Sequence, residues 1–200
     1  MIIIGLTGYK RAGKDTVADY LVDLHGFTKL SMAAPLKRML RSLNPLLGGG
    51  TRLMDIWDDT ETVQKNEEWI KGSIYADEYR RLLQLLGTDC VRSIDPDFWV
   101  RAMVKEIEES GADRVVISDV RFPNEGELIW NPQQFQLRKV SPSSLLLQVD
   151  RDGVEYDPAG HESEQWVGAM GEHAVIHNDG DFGGDLFDNV EDILSEFGVL

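Results

Sequence analysis

Met1-Ile2-Ile3-Ile4-Gly5-Leu6-Thr7-Gly8-Tyr9-Lys10-Arg11-Ala12-Gly13-Lys14-Asp15-Thr16 is the stretch on which the fold turns. Its opening is an apolar run of the kind that forms a fully buried strand. Gly8, Gly13 and Lys14 then stand at the spacing GxxxxGK, and Val17 to Leu24 shows helical periodicity. Strand, glycine-bounded loop and helix is the order that a phosphate-binding loop requires. The glycines let successive N–H groups turn into one concavity. The helix start adds its dipole and its unpaired N–H groups. The expected cradle is Gly8, Lys10, Arg11, Ala12, Gly13, Lys14, Asp15 and Thr16. Lys14 would bridge the outer phosphates as a point charge. Where the usual motif has a hydroxyl that holds Mg²⁺, this chain has Asp15, with Thr16 one step later. Asp15 can meet the metal directly or through water, and Thr16 can bond a phosphate. The plainer alternative is a strand–turn–helix joint capped by Asp15.

Composition narrows the ligand. The chain has 200 residues, 42% of them hydrophobic, which suits one globular domain over 1–200. A net charge of −15 argues against a general nucleic-acid binder, whose footprint is a basic face. Basic residues nevertheless gather at 10–14, 37–41 and 80–81, the pattern for a small, multiply charged anion. A single cysteine, Cys90, excludes an internal disulfide and fits a reducing cytoplasm. No apolar run is long enough to span a membrane, and the N-terminus reads without a charged leader or cleavage site.

Outward from the loop, helix 14–24 ends at Gly26, and Phe27–Leu30 reads as a short second strand. Pro35 opens a helix to about Ser42 whose Lys37, Arg38 and Arg41 form a basic face. Residues 51–73 are acidic and polar, a helical excursion or a flap. Tyr75–Leu86 reads as a helix ended by Gly87-Thr88-Asp89, with Arg80 and Gln84 on one stripe. Asp95-Pro96 starts the next helix, to about Ser110. Val115–Val120 is a buried strand whose Asp119 lies near its C-terminal end, where open α/β sheets bind ligands. Asp119 is therefore expected to face the phosphate loop and help hold the metal, its alternative being a turn cap. Residues 131–143 look like a surface loop. Leu145–Val149 and Ala174–Ile176 are further strands, with a helix near 163–170, a turn at Asn178-Asp179-Gly180 and a closing helix at 184–197. Alternating strands and helices give a three-layer α/β sandwich around a five-stranded parallel sheet. His161, Glu162 and Glu164 lack metal-site spacing, and Ser163 reads as a helix N-terminal residue.

Several blocks together resemble the deoxynucleoside monophosphate kinases of tailed bacteriophages. They are Gly8–Thr16, Pro35-Leu36-Lys37, Arg80–Asp89 with Arg92, and Asp119–Glu125. His161–Glu164 and Ile176-His177-Asn178 form a weaker fifth. The resemblance implies transfer of the ATP γ-phosphoryl to a deoxynucleoside monophosphate (dNMP), on a P-loop nucleoside-monophosphate-kinase fold with sheet order 2-3-1-4-5. It implies Lys37, Arg80, Arg81, Gln84, Gly87, Thr88 and Trp99 at the acceptor, within a helical excursion at about 35–110. Arg80 or Arg81 would grip the acceptor phosphate, Gln84 would read a base edge, and Trp99 would stack on the base or sit in the core. Arg121, Arg138 and Arg151 are candidates for a lid within 121–166. A homodimer in the cytoplasm is also implied. Three departures stand out: Ala12 for a frequent serine, Ala34 for a frequent acid, and the 131–143 segment. The residues leave open a P-loop kinase for dephospho-coenzyme A or phosphomevalonate, and a non-enzymatic nucleotide-binding module.

Overall fold

β1 (Ile2–Thr7) is the middle strand of a parallel sheet, as its apolar run predicts. The computed structural model describes residues 1–58, 60–158, 160–179 and 184–200. After β1 come α1 (Lys14–His25), β2 (Thr28–Leu30), α2 (Ala33–Leu43), the hairpin strands β3 (Leu46–Gly48) and β4 (Thr51–Arg52), α3 (Val63–Lys71) and α4 (Ala76–Gln84). A π-helical segment, Leu85–Arg92, leads on to α5 (Phe98–Ser110), β5 (Arg114–Ile117), α6 (Pro123–Trp130), β6 (Leu145–Arg151), β7 (Ala174–Asn178) and α7 (Gly184–Glu196). The main sheet runs β2-β5-β1-β6-β7, and every pairing in it is parallel. Counted among themselves, these five strands have the expected order 2-3-1-4-5.

The chain divides into two compact units: Met1–Met32 with Val100–Leu200, and Ala33–Trp99. The first holds the main sheet between two helical layers. Successive residues of a strand face opposite ways. Ile4, Leu6, Val116, Leu147 and Ile176 accordingly pack with α1 and α7, while Ile3, Val115, Ile117 and Leu146 pack with α5 and α6. In the second unit Leu40, Leu47, Leu53, Ile70 and Tyr79 form a small core. Its acidic stretch carries the helix α3. Asn66 is buried on α3 and accepts from Asp58 N at 2.8 Å, while donating to Asp58 O at 2.8 Å and Thr62 O at 3.2 Å.

Four expectations need correction. Gly87 does not stop a helix; backbone helicity continues through Leu85–Arg92 in π form. Gly87 is instead a site of close approach, because a Cβ there would lie 2.7 Å from Leu36 Cδ2. Segment 131–143 is no simple surface loop: Leu137 is fully buried, and Ser141 N donates to Met1 O at 2.7 Å. The helix near 163–170 is a short 3₁₀ turn, Glu162–Trp166, capped by His161 Nδ1, which accepts from Ser163 N at 3.2 Å. The second strand starts at Thr28, leaving Phe27 to the core. The turn expected at Asn178-Asp179-Gly180 runs into Gly180, outside the described residues.

Candidate active site

The loop between β1 and α1 has the conformation its glycines predict. Gly8 has φ +142° and Gly13 φ +104°, both in the region that disfavours a Cβ. Arg11 is also left-handed at φ +70°. Alternation of handedness turns peptide N–H groups toward one centre. Gly13 sits at the helix N-cap position with no side-chain cap, so the N–H groups of Lys14, Asp15 and Thr16 at the start of α1 have no capping side chain. Asp15 does not cap this joint. Its carboxylate accepts from Lys29 Nζ at 2.9 Å, and Lys29 also bonds Asp19 Oδ1 at 2.9 Å.

Lys14 folds back over the loop. Its Nζ donates to Gly8 O at 2.7 Å and Tyr9 O at 2.8 Å. Burial, and after it the charge of Arg121, pushes its pKa from 10.5 down to about 8. Asp15, Asp119 and Glu164 pull the other way. A phosphate group beside this ammonium would favour its charged form and raise the pKa again.

The sheet edge brings further groups here. Asp119 follows β5 and accepts from Met32 N at 2.6 Å through Oδ1 and from Ser31 Oγ at 2.8 Å through Oδ2. It thereby ties the end of β2 to the end of β5. Arg121 is carried by a turn that the buried Glu125 fixes: Glu125 Oε2 accepts from Arg121 N at 2.7 Å and Phe122 N at 3.2 Å. Arg151, at the end of β6, donates to Arg11 O at 3.4 Å. Lys10, Arg11, Asp15 and Thr16 are exposed on the loop and first turn, and Ala12 is buried beneath it. Arg138 does not join this group. It lines a groove with Met1 and Phe135, by the start of β1, whereas the loop follows that strand's other end.

In the second unit, Arg80 and Arg81 lie exposed on α4 and pair with acids of their own helix, Asp77 at 3.0 Å and Glu78 at 2.7 Å. Lys37 Nζ donates to the buried Glu67 Oε2 at 2.7 Å. Gln84 ends α4, and Gly87 and Thr88 belong to the π-helical segment. Trp99 is no stacking platform. It is 4% exposed and its indole N–H donates to Gly87 O at 2.9 Å, so it supports that segment from within. Among the described residues no group of three or more His, Cys, Asp or Glu side chains is arranged to hold a metal ion. A divalent ion here would take most of its ligands from phosphate and water, with Asp15 as the exposed carboxylate. Sequence reasoning missed Lys29 and Ser31, which act through contacts between separate segments, and the role of Glu125, which caps its own turn.

A buried strand, an uncapped helix start and a folded-back lysine over a left-handed loop define a phosphate-binding P-loop. The chain belongs to the family described as deoxynucleotide monophosphate kinase, which it matches over residues 2–46 and 55–184. It is 31% identical over 191 residues to a protein of Acanthamoeba polyphaga mimivirus assigned as a deoxynucleotide monophosphate kinase, covering 88% of this chain and 87% of that one. It is 26% identical over 198 residues to the deoxynucleoside-5′-monophosphate kinase of Escherichia phage T5, covering 74% and 77%. A solved shikimate kinase from Bacteroides thetaiotaomicron aligns over 98% of both chains at 11% identity, with a TM-score of 0.46. The chain is thus a nucleotide phosphotransferase, and ATP is the phosphoryl donor such a kinase uses.

Proposed function

We propose that the chain transfers the γ-phosphoryl of ATP to the phosphate of a dNMP, giving the diphosphate and ADP. The carrying observation is Lys14, half-buried, its pKa lowered by desolvation, and bonded to loop carbonyls that phosphates would displace. The transferring group passes through a loose transition state, so the protein's work is positioning and charge neutralisation. The acceptor phosphate is itself the nucleophile and is anionic near neutral pH, so no general base is required. One phosphorus–oxygen bond forms to the acceptor as the bond to the β-phosphate oxygen breaks.

In this reading the loop N–H groups and Lys14 bind the donor phosphates. Arg121 neutralises charge on the transferring group. Asp15 and Asp119 would hold a magnesium ion, which would supply Lewis-acid neutralisation of the phosphates when bound. Lys37, Arg80, Arg81, Gln84, Gly87 and Thr88 handle the acceptor, which requires Arg80 and Arg81 to leave their exposed partners Asp77 and Glu78. The exposed Arg80–Asp77 pair is worth little, so that exchange is cheap, whereas Arg81 must give up a two-bond grip on Glu78. Trp99 contributes by holding Gly87. We further read one kinase domain over 1–200, ligands that are nucleotides and not nucleic acid, a cytoplasmic setting and a homodimer. The net charge of −15 supports the second of these. Among the described residues no helix is long and apolar enough to cross a membrane.

Coupled ADP release, measured over all deoxy- and ribonucleoside monophosphates with dephospho-coenzyme A and phosphomevalonate included, tests the acceptor. Turnover with at least one dNMP is expected; turnover confined to a non-nucleotide acceptor rejects the reading. Lys14 adds a pH signature. Its charged form binds phosphate, and in the free protein that form is lost as pH rises through about 8. The kcat/KM for ATP should therefore fall about tenfold per pH unit above that value, since kcat/KM reports the free enzyme. A profile flat to about pH 9.5 would contradict this placement of Lys14.

A further inference from the structure

β6 and β7 end side by side in register at Arg151 and Asn178. Both residues reach back to neighbouring carbonyls of the phosphate loop. Arg151 donates to Arg11 O at 3.4 Å, and Asn178 Nδ2 donates to Ala12 O at 2.9 Å. Asn178 is 8% exposed, and its own carbonyl accepts from Asp152 N at 3.3 Å, which fixes the strand end. The side chain also lies against Gly13, where a Cβ would stand 2.4 Å from Nδ2. Ala12 N is already spent on Tyr9 O at 3.2 Å.

A trans peptide is planar, and its C=O and N–H point in opposite directions. A donor that captures Ala12 O therefore aims the N–H of Gly13 away from Asn178. We propose that Asn178 is a positioning residue for ATP: by gripping Ala12 O it aims the Gly13 N–H at a donor phosphate. Lys14 must release Gly8 O and Tyr9 O to meet phosphate, whereas Asn178 holds its carbonyl throughout. It is thus the fixed anchor of a loop whose other clamp is mobile. The inference rests on ATP being the ligand of this loop.

The test combines Asn178→Asp, which keeps the shape and loses the donor, with Asn178→Ala. KM for ATP and the dissociation constant of β,γ-methylene-ATP should rise about tenfold, the size of one hydrogen bond. KM for the dNMP should stay near wild type. The Asn178→Asp defect, as a ratio to wild type, should shrink from pH 8 to pH 5.5, because a buried carboxyl takes up a proton and regains a donor. A purely structural asparagine would lower thermal stability without this split or this pH response. Wild-type ATP constants in both variants would overturn the proposal. A measurement on the unaltered chain guards against variants that fail to fold. On titration with the analogue, the Gly13 amide proton should shift strongly downfield while the Asn178 side-chain amide stays in place. A Gly13 amide that does not move overturns the proposal. Wild-type protein that fails to bind the analogue overturns it together with the ATP reading.

Discussion

Replacing Lys14 with alanine is expected to lower kcat by at least about 10²–10³-fold, the range for losing one preorganised transition-state donor. The fold should not suffer. Depression of the lysine pKa from 10.5 to about 8 means that the folded chain holds this ammonium against its preference. That depression corresponds to about 3 kcal/mol. The sign is fixed by linkage. Above the folded pKa the unfolded chain binds the extra proton, so stability rises as pH climbs from about 8 toward 10.5. The cost is complete below about 8, which includes neutral pH. Lys14→Ala removes it, and the melting temperature at pH 7 should stay level or rise while activity collapses. ADP release at saturating substrates and a thermal melt of the same samples measure both. Activity within about tenfold of wild type would show that the loop binds phosphate without this lysine.

This part of the fold is legible in the sequence because its parts are adjacent. A phosphate loop is local: its strand, glycines, lysine and helix lie within one short stretch. The order of the sheet was legible through resemblance, and each strand through its apolar run. Other features are contacts between distant segments, which leave no local trace. Gly87 looks like a helix stop in one dimension. Only the approach of Leu36 and the indole of Trp99 reveal a continuing π-helical segment. Leu137 sits among prolines and glutamines that suggest a surface, yet it fills the core beside α5 and α6. Asn178 meets Ala12 across 166 residues of chain. Asp119 was predicted to face the loop. That its two oxygens accept from Met32 N and Ser31 Oγ depends on β2 lying next to β5. Arg80 and Arg81 stand out in the sequence as cations, but each is paired with the acid three residues before it.

Gly8→Ala should sharply weaken nucleotide binding. A Cβ at Gly8 would lie 2.3 Å from the carbonyl oxygen of Val149, a backbone atom of β6 that no rotamer change can move. The φ of +142° adds backbone strain that an L-residue avoids. Relief requires β1 and β6 to part or the loop to leave its curve. Parting is opposed by the register that pairs Leu6 with Leu147 and Thr7 with Gln148 at the sheet's centre. The loop is the softer element and should yield, and its N–H groups then lose their common focus. Affinity for β,γ-methylene-ATP is expected to fall about 100-fold, the loss of one to two hydrogen bonds to a charged ligand. Stability should drop by about 1–3 kcal/mol, the usual cost of a strained backbone position. Gly26→Ala supplies the control. Gly26 is also left-handed, at φ +67°, but a Cβ there meets nothing within 4 Å. That change should cost about 1 kcal/mol through backbone preference and leave the analogue's affinity untouched. Calorimetric titration of both variants separates strain in general from strain at the phosphate cradle. Equal affinities in the two would mean that the curve of the loop at Gly8 does not carry nucleotide binding.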